Sequence, residues 1–535
     1  MWDDAYDILN EWYEMCEAAV TPKEVNNNFM TTVKKLNHHG ILNSGATMEE
    51  FVKFSINSVI QHCLSLMDRK DGSYRQESVW KMDCLAKFFS LIIVFSNPHD
   101  DVQRTKHLRE TLKFVCNITI SDCKELGATF NGYPHKRLLL SLLNHQVAPC
   151  KDQPESLFSL VDSFTRSLSL LQPACIPNFA MSWLDIVSNP LVIKTCLVDT
   201  AHLEKSRSNY AQLLAQCLKY LAAFVGNDNE DTKISADIFP FYESVLRFFM
   251  HLQEIPEVLY QNANLLTSFV PFRFVQLRNI ILCAYPATMV LRDPFVSTEV
   301  PIDQIPEMRH DATINTELQI GVPAELDDKV RMFIKTQDEV YLAGFASSLL
   351  DEERHWSKYS APILCSFVLR LGILDIANLQ RSRATICEGA VSSSSITKIF
   401  AFMCKELCNE GRYALFTSMA NQLRYPNVHT HYFIVSLLVL YQKVDVVARE
   451  ILVRVLLERV LTFRPHPWGL MIILMELVKN QKYQLWEHDF SHACPEIEQA
   501  IERIAQSCDT QHDSVGESES DRGTVFSDFT SEAGA

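Results

Sequence analysis

The sequence predicts an all-α protein, a HEAT-like repeat α-solenoid in two stacked helical units, on three observations. Glycine supplies only 15 of 535 residues, under half its usual share of about 7%. Strand-rich and phosphate-cradling domains need glycine, because it alone takes positive φ without strain at turns, bulges and loops. Apolar residues recur with helical period along most of the chain, without clear strand alternation or an Asn-Gly hairpin signal. Finally, 47% apolar and 10% aromatic residues can bury a large core.

The elements follow in order. Apolar faces at helical spacing run through Val25 to Leu36, Phe51 to Leu66, Met82 to Phe95, Leu157 to Leu171 and Ala180 to Ser188. From Tyr210 to Val225 the face is Leu214, Cys217, Leu218, Leu221 and Val225, one buried stripe of a helix. An acidic loop, Gly226 to Asp231, precedes a second stripe of Phe241, Val245, Phe248, Phe249 and Leu252. Prolines at 286, 294, 301, 306 and 323 exclude a long helix between Tyr285 and Gln337. That stretch is read as a seam, giving an N-terminal unit 1–285, an irregular connector 286–340 and a C-terminal unit 341–508. The C-terminal helices are Gly411 to Arg424, His431 to Tyr441, Asp445 to Phe463, Pro467 to Lys479 and Pro495 to Ser507. Pro467 and Pro495 stand at helix starts, where a missing N–H costs little. Ser392 to Ser395 reads as an exposed connection. Residues 509–535 alternate serine with acid and read as a disordered acidic tail.

The formal net charge of −16 argues against sequence-independent nucleic-acid binding, which needs a basic face to neutralise phosphates. The 16 cysteines are scattered with no CxxC pair, the pattern of free thiols packed as small core hydrophobes in a reducing compartment. Met1-Trp2-Asp3-Asp4 opens acidic, unlike a secretory signal. The charge-free stretch Tyr425 to Gln442 holds only about ten consecutive apolar residues where a membrane span needs roughly 20. The chain is therefore read as soluble and intracellular, without a membrane partner.

Chemistry-bearing motifs are few. Gly40/Gly45 and Gly127/Gly132 have phosphate-loop spacing but lack the following Lys-Ser/Thr, and no GxG or GxSxG occurs. His488-Asp489-Phe490-Ser491-His492 places two histidines at i and i+4 and could hold zinc as HExxH does. Asp is shorter than Glu, and Pro495 follows the nearby Cys494, so the reading favoured is ordinary histidines with no metal and no cofactor. Cys404 and Cys408, also i and i+4, read as core packing. A polar-aromatic cluster is different in kind: Arg412, Tyr413, Asn421, Arg424, Tyr425, Asn427, His429, His431, Arg464, His466 and Trp468. Tyr, Trp and Arg are enriched at binding hot spots, so these residues are the candidates for partner binding. Hydrogen bonding between repeats is the competing use.

The order of short motifs carries a resemblance. Glu410-Gly411-Arg412-Tyr413, Ala420-Asn421-Gln422-Leu423-Arg424-Tyr425-Pro426-Asn427, His429-Thr430-His431-Tyr432-Phe433, Leu457-Glu458-Arg459 and Arg464-Pro465-His466-Pro467-Trp468-Gly469-Leu470 follow one another. Together with Gln276-Leu277-Arg278-Asn279-Ile280-Ile281-Leu282, Asp293-Pro294-Phe295 and Tyr210-Ala211-Gln212-Leu213-Leu214, they resemble the C-terminal domain of the Not-one scaffold family of the CCR-NOT mRNA deadenylation complex. The resemblance covers about Ile8 to Cys508. It implies a non-enzymatic HEAT-repeat scaffold that docks the Not-two/Not-three heterodimer and short linear motifs of RNA-binding regulators such as Nanos. It also implies an output of mRNA deadenylation, decay and translational repression, in the cytoplasm with its P-bodies and in the nucleus. Family scaffolds are longer, with middle regions for the deadenylases that have no counterpart here, so the chain is expected to be a piece of such a scaffold. A generic HEAT-repeat adaptor of the transport type and a zinc hydrolase at His488 and His492 are the rival readings.

Overall fold

Trp2–Ala18 (α1) and Pro22–His38 (α2) form an antiparallel pair. Glu11 meets Lys35, Asn28 Nδ2 donates to the Met15 carbonyl at 3.1 Å, and Asp4 meets His39, so numbers fall on one helix as they rise on the other. Thr21 and Glu24 close a reciprocal capping box at the start of α2. The computed structural model describes residues 2–18, 21–41, 45–67, 74–96, 100–150, 153–225, 236–294, 301–315, 321–351 and 357–509. The acidic loop at 226–231 and the tail beyond Asp509 lie outside the described residues. Among the described residues no strand forms, and extended backbone pairs only in a single bridge between Leu350 and Tyr359.

By contacts the chain divides into two compact units, Met1–Tyr220 and Leu221–Ala535. The first continues with Gly45–Met67 (α3), Tyr74–Ser96 (α4), Asp101–Leu126 (α5), Tyr133–Cys150 (α6) and Pro154–Leu170 (α7). Asp83 meets Arg137 and Ser90 meets Gln146, so α4 and α6 run in the same direction. Asp101 meets Ser156, Arg109 meets Ser163 and Cys116 meets Ser167, so α5 and α7 do likewise. Alternate helices therefore form two layers, the arrangement of an α-solenoid. The core of the early repeats is aromatic, with Trp12, Phe29 and Phe51 around Phe88 at ring separations of 5.4, 5.5 and 6.3 Å. Ala180–Val187 (α8), Pro190–Leu197 (α9) and Leu203–Ala222 (α10) follow. Trp183 Nε1 donates to the Leu168 carbonyl and the Tyr210 hydroxyl to the Val187 carbonyl, at 2.8 and 2.6 Å.

The second unit opens with Phe239–His251 (α11), Glu257–Gln261 (α12), Ala263–Ser268 (α13) and Val275–Leu282 (α14). Two 3₁₀ turns, Ala324–Thr336 (α15) and Phe345–Ser348 (α16) lead to Ala361–Arg381 (α17). Glu388–Ser393 (α18), Ser395–Glu406 (α19), Asn409–Ala420 (α20), Val428–Lys443 (α21), Val446–Val460 (α22), Trp468–Lys479 (α23) and Pro495–Asp509 (α24) complete it. By length and composition α17 could cross a bilayer, which the sequence scan passed over. Within its apolar window 56% is buried inside the protein, and its Asp375 accepts from Ser394 and Tyr432 at 2.6 and 2.7 Å.

Three expectations are revised. The division between units falls at 220/221 rather than in 286–340. Among the described residues of 286–323 only short turns form, yet Pro323 then stands at the N-terminal cap position of the thirteen-residue α15. This stretch also belongs to the second unit's core, with Ile305 and Met308 buried. Val428 N–H donates to the His310 carbonyl at 2.8 Å, which pins the segment to the start of α21. In the serine run, Ser394 caps α19 through Ile396 N–H at 3.0 Å while bonding Asp375, so it fastens two helices.

Two glycines inside the motif series mark close approach. A Cβ on Gly411 would sit 2.7 Å from Tyr359 Cε2, and one on Gly469 would sit 2.6 Å from Thr430 Cγ2 and 3.1 Å from the Arg424 carbonyl oxygen. The second contact involves backbone that cannot rotate away. Gly469→Ala should cost about 2 kcal/mol through overpacking, whereas Gly389→Ala, which faces open space, should be neutral or slightly stabilising. Thermal unfolding of the two variants checks this: equal midpoints would show that the approach at Gly469 is not tight.

Candidate functional site

Three arginines of the second unit are almost wholly buried: Arg278 and Arg424 at 1% exposure and Arg459 at 2%. No carboxylate faces them in an ion pair among the described residues. Each is held by carbonyl oxygens at the ends of helices. Arg459 donates through Nη1 to Ala420 O and through Nη2 to Thr417 O, both at 3.0 Å, in the last turn of α20. Arg278 Nη1 donates to Thr267 O at 3.2 Å near the end of α13, and its Nη2 donates to Val270 O. Arg424 Nη1 donates to Tyr260 O at 2.8 Å in the last turn of α12. Terminal carbonyls lack intrahelical donors and carry the negative end of the helix dipole, so a cation there is stabilised without a formal counterion. Ring faces add to this: Arg278 lies 5.6 Å over Phe272 and Arg424 5.4 Å over Tyr425. Burial, with Arg278 as a cationic neighbour, still pulls Arg459 down to about 9. Burial lowers Arg278 and Arg424 as well.

Asn421 joins two of the three. Its Oδ1 accepts from Arg459 Nη2 at 2.7 Å and from Arg278 Nη1 at 3.4 Å. The neighbouring Asn279 donates through Nδ2 to Arg459 O at 2.7 Å and Thr462 Oγ1 at 3.0 Å. Helix α20 stops at Ala420, short of the expected Arg424, and Arg459 braces its last turn. The next seven residues form a buried turn. Asn427 closes it by accepting from the N–H groups of His429 and Thr430 at 2.9 and 3.0 Å, which starts α21 earlier than expected. Thr430 Oγ1 donates to the carbonyls of Gln422 and Tyr425 at 3.0 and 2.8 Å, and Gly469 N–H donates to Arg424 O at 2.8 Å.

The eleven candidates thus separate by depth. Asn421, Arg424, Tyr425, Asn427, His429, His431 and Trp468 are buried. Trp468 Nε1 donates to Arg292 O at 2.9 Å, the Tyr425 hydroxyl accepts from Thr313 N–H at 3.4 Å, and His431 Nε2 pairs with Asp303 at 2.9 Å. Arg412, Tyr413 and His466 are half-buried and Arg464 is exposed. Arg412 pairs with Asp445 at 3.4 Å, and the Tyr413 hydroxyl donates to Glu458 at 2.6 Å. Beside Arg464 stand Leu461 and Phe463, at 47% and 65% exposure. Arg278, Asn279 and Arg459 were not among the candidates, although a charged or amide residue inside an apolar run such as Leu277–Leu282 or Val455–Val460 is the signal that marks them.

The zinc lure does not assemble. Residues 489–492 form a 3₁₀ turn, not an α-helix face. His492 is engaged on both ring nitrogens, by Glu498 at 2.8 Å and the Trp486 carbonyl at 3.0 Å, while His488 stacks on Phe490 at 5.0 Å. Among the described residues no group of three metal-ligating side chains forms. Cys404 is buried, as expected of core packing, but Cys408 is exposed at the start of α20. A polar cleft of about 240 Å³ between α13, α15 and α17 is lined by Asn262, Asn264, Ser268, Asp327 and Arg370.

Fold and site define an all-helical repeat protein whose polar cluster fastens helices together and leaves apolar and cationic groups at its edge. The family model Not1, described as CCR4-Not complex component, Not1, matches residues 142–505, and the chain belongs to this family. It is 29% identical over 518 residues to the CCR4-NOT transcription complex subunit let-711 of Caenorhabditis elegans, covering 94% of this chain and 20% of that protein. It is 26% identical to the general negative regulator of transcription subunit 1 of Schizosaccharomyces pombe, over 92% of this chain and 23% of that protein. The chain thus spans about a fifth to a quarter of the relatives it matches. Among solved structures, the NOT1 superfamily homology domain from Chaetomium thermophilum superposes with a TM-score of 0.81 at 24% identity, over 95% of this chain and 99% of that one. A Not1 C-terminal domain in complex with Not4 superposes at 0.76 with 19% identity, over 93% and 100%. Both share the fold.

Two outcomes follow from the cluster. Arg459→Met removes one of the two donors at each of the Thr417 and Ala420 carbonyls and the shorter of the two bonds to the Asn421 amide oxygen, and should cost roughly 2 kcal/mol. Arg459→Lys, which keeps the charge but not the fork, should cost less. Urea unfolding followed by circular dichroism measures both, and an unchanged midpoint for the methionine variant would remove the fastening role. The second outcome concerns pH. Burial, with Arg424 nearby, pushes His429 down to about 4. Between about pH 6.5 and 4 the unfolded chain binds a proton there that the folded chain refuses, so stability rises with pH through this window. The full effect is about 3 kcal/mol. The loss of stability from pH 7 to 5 should be smaller in His429→Gln; an identical slope would contradict the assignment.

Proposed function

We propose that this chain is a docking module of a Not1 scaffold and performs no chemistry of its own. On this reading it holds Not-two and Not-three type subunits and peptide motifs of RNA-binding regulators such as Nanos. Its output is mRNA deadenylation, decay and translational repression, in the cytoplasm, P-bodies and nucleus. The observation that carries the reading is the family match across residues 142–505, which encloses the whole fastened cluster. The solved Not1 C-terminal domain that shares this fold was captured in complex with Not4, so a Not4-type segment joins the proposed partners. A repeat scaffold suits the role, because stacked helices present long grooves to extended peptides while the scaffold itself stays rigid.

Burial of Arg424 and Trp468 assigns them to the scaffold's interior, and docking in this region falls to Leu461, Phe463 and Arg464. Co-expression with a Not-two/Not-three pair should yield a stable ternary complex on size exclusion. Phe463→Glu with Arg464→Glu should weaken it by about tenfold or more, as loss of an aromatic and arginine anchor does, with thermal unfolding unchanged. Failure of the wild-type chain to co-elute would refute the function. Full binding by the double variant would refute only the placement.

A further inference from the structure

A groove in the first unit lies outside the family match, since all its lining residues fall between 6 and 137. It is open, about 1020 Å³, and runs along α1 and the N-terminal half of α4. Its walls are aromatic. Tyr6 is 47% exposed, and the Tyr13 ring meets Trp80 edge-on at 6.4 Å. Lys81 Nζ lies 5.5 Å from the Tyr13 ring centroid, so this shelf already receives one cation. Glu14 and Glu17 stand exposed on α1, one helical turn apart, and neither has an ion-pair partner among the described residues. Asp83, by contrast, is held by Arg137 at 2.9 Å and by Ser141.

We propose that this groove docks an arginine-bearing linear peptide of a partner protein. A guanidinium stacks on Trp80 and Tyr6 while Glu14 and Glu17 neutralise it. Arginine fits better than lysine because its planar cation both stacks on rings and pairs with carboxylates in a fork. Charge complementarity selects the occupant: with Asp83 and Arg137 paired to each other, Glu14 and Glu17 outnumber Lys81 in the lining, and this excess of negative charge beside exposed ring faces attracts a cation and repels phosphate-bearing ligands. The proposal does not rest on the docking of Not subunits by the second unit.

The test is a selection. A random dodecapeptide library displayed on phage is first depleted on the Glu14→Lys/Glu17→Lys chain and then enriched on the wild-type chain. Enriched peptides should carry arginine beside aromatic or apolar residues. As fluorescent synthetic peptides they should bind at least about tenfold more tightly to wild type than to the charge-reversed chain or to Trp80→Ala, and more weakly as salt rises. No enrichment after depletion, or enrichment of neutral or acidic peptides, overturns the proposal. So does equal binding by wild type and a folded charge-reversed chain. Both changed acids are exposed, so circular dichroism and thermal unfolding of that variant should match wild type.

Discussion

Three positive charges sit inside the second unit with no carboxylate paired to them among the described residues, and what holds them is the ends of helices. Burying a guanidinium in an apolar core is costly unless its donors are met. Here carbonyls in the last turns of helices, at the negative end of the helix dipole, accept from each of the three. Because Arg424 reaches α12 across 164 residues, Arg459 reaches α20 across 39 and Arg278 reaches Asn421 across 143, the solution fixes the relative placement of elements that ordinary apolar packing would leave free to slide. Asn421, bonded to two of them, sets a single register.

The turn at 421–427 follows from this constraint. Arg459 braces the last turn of α20, Asn427 starts α21, and Thr430 and Gly469 seal the space between with no room for an additional methyl group. The His429 imidazole is held neutral within the same packing. A module built this way presents a stiff framework, so partner segments that bind by ordering themselves need not also order their receptor.

Much of the fold was legible. Stripes such as Leu214, Cys217, Leu218 and Leu221 marked helices, although α10 begins at Leu203, ahead of the expected Tyr210. Helix ends were less legible where tertiary contacts bear on them: the sequence runs on helically past Ala420, where Arg459, 39 residues away, bonds the last turn. The proline-bearing stretch looked like a seam because prolines report local backbone and not burial, and nothing local shows that Ile305 and Met308 enter a core. The cluster was found by residue type, but Arg, Tyr and Trp serve interfaces and interiors alike. Depth, which separates Arg424 from Arg464, depends on the whole packing. The groove at Tyr13 and Trp80 had no sequence signal, because α1 and α4 supply its parts from far apart in the chain.

The central claim is that the turn between α20 and α21 is part of the rigid interior. Amide hydrogen exchange on the isolated chain tests it most directly. The N–H groups of Leu423, Arg424, Val428, His429, Thr430 and Gly469, each bonded inside the cluster, should exchange as slowly as those in the middle of α21, through global opening alone. Exchange there at surface-loop rates, while the flanking helices stay protected, would contradict the account.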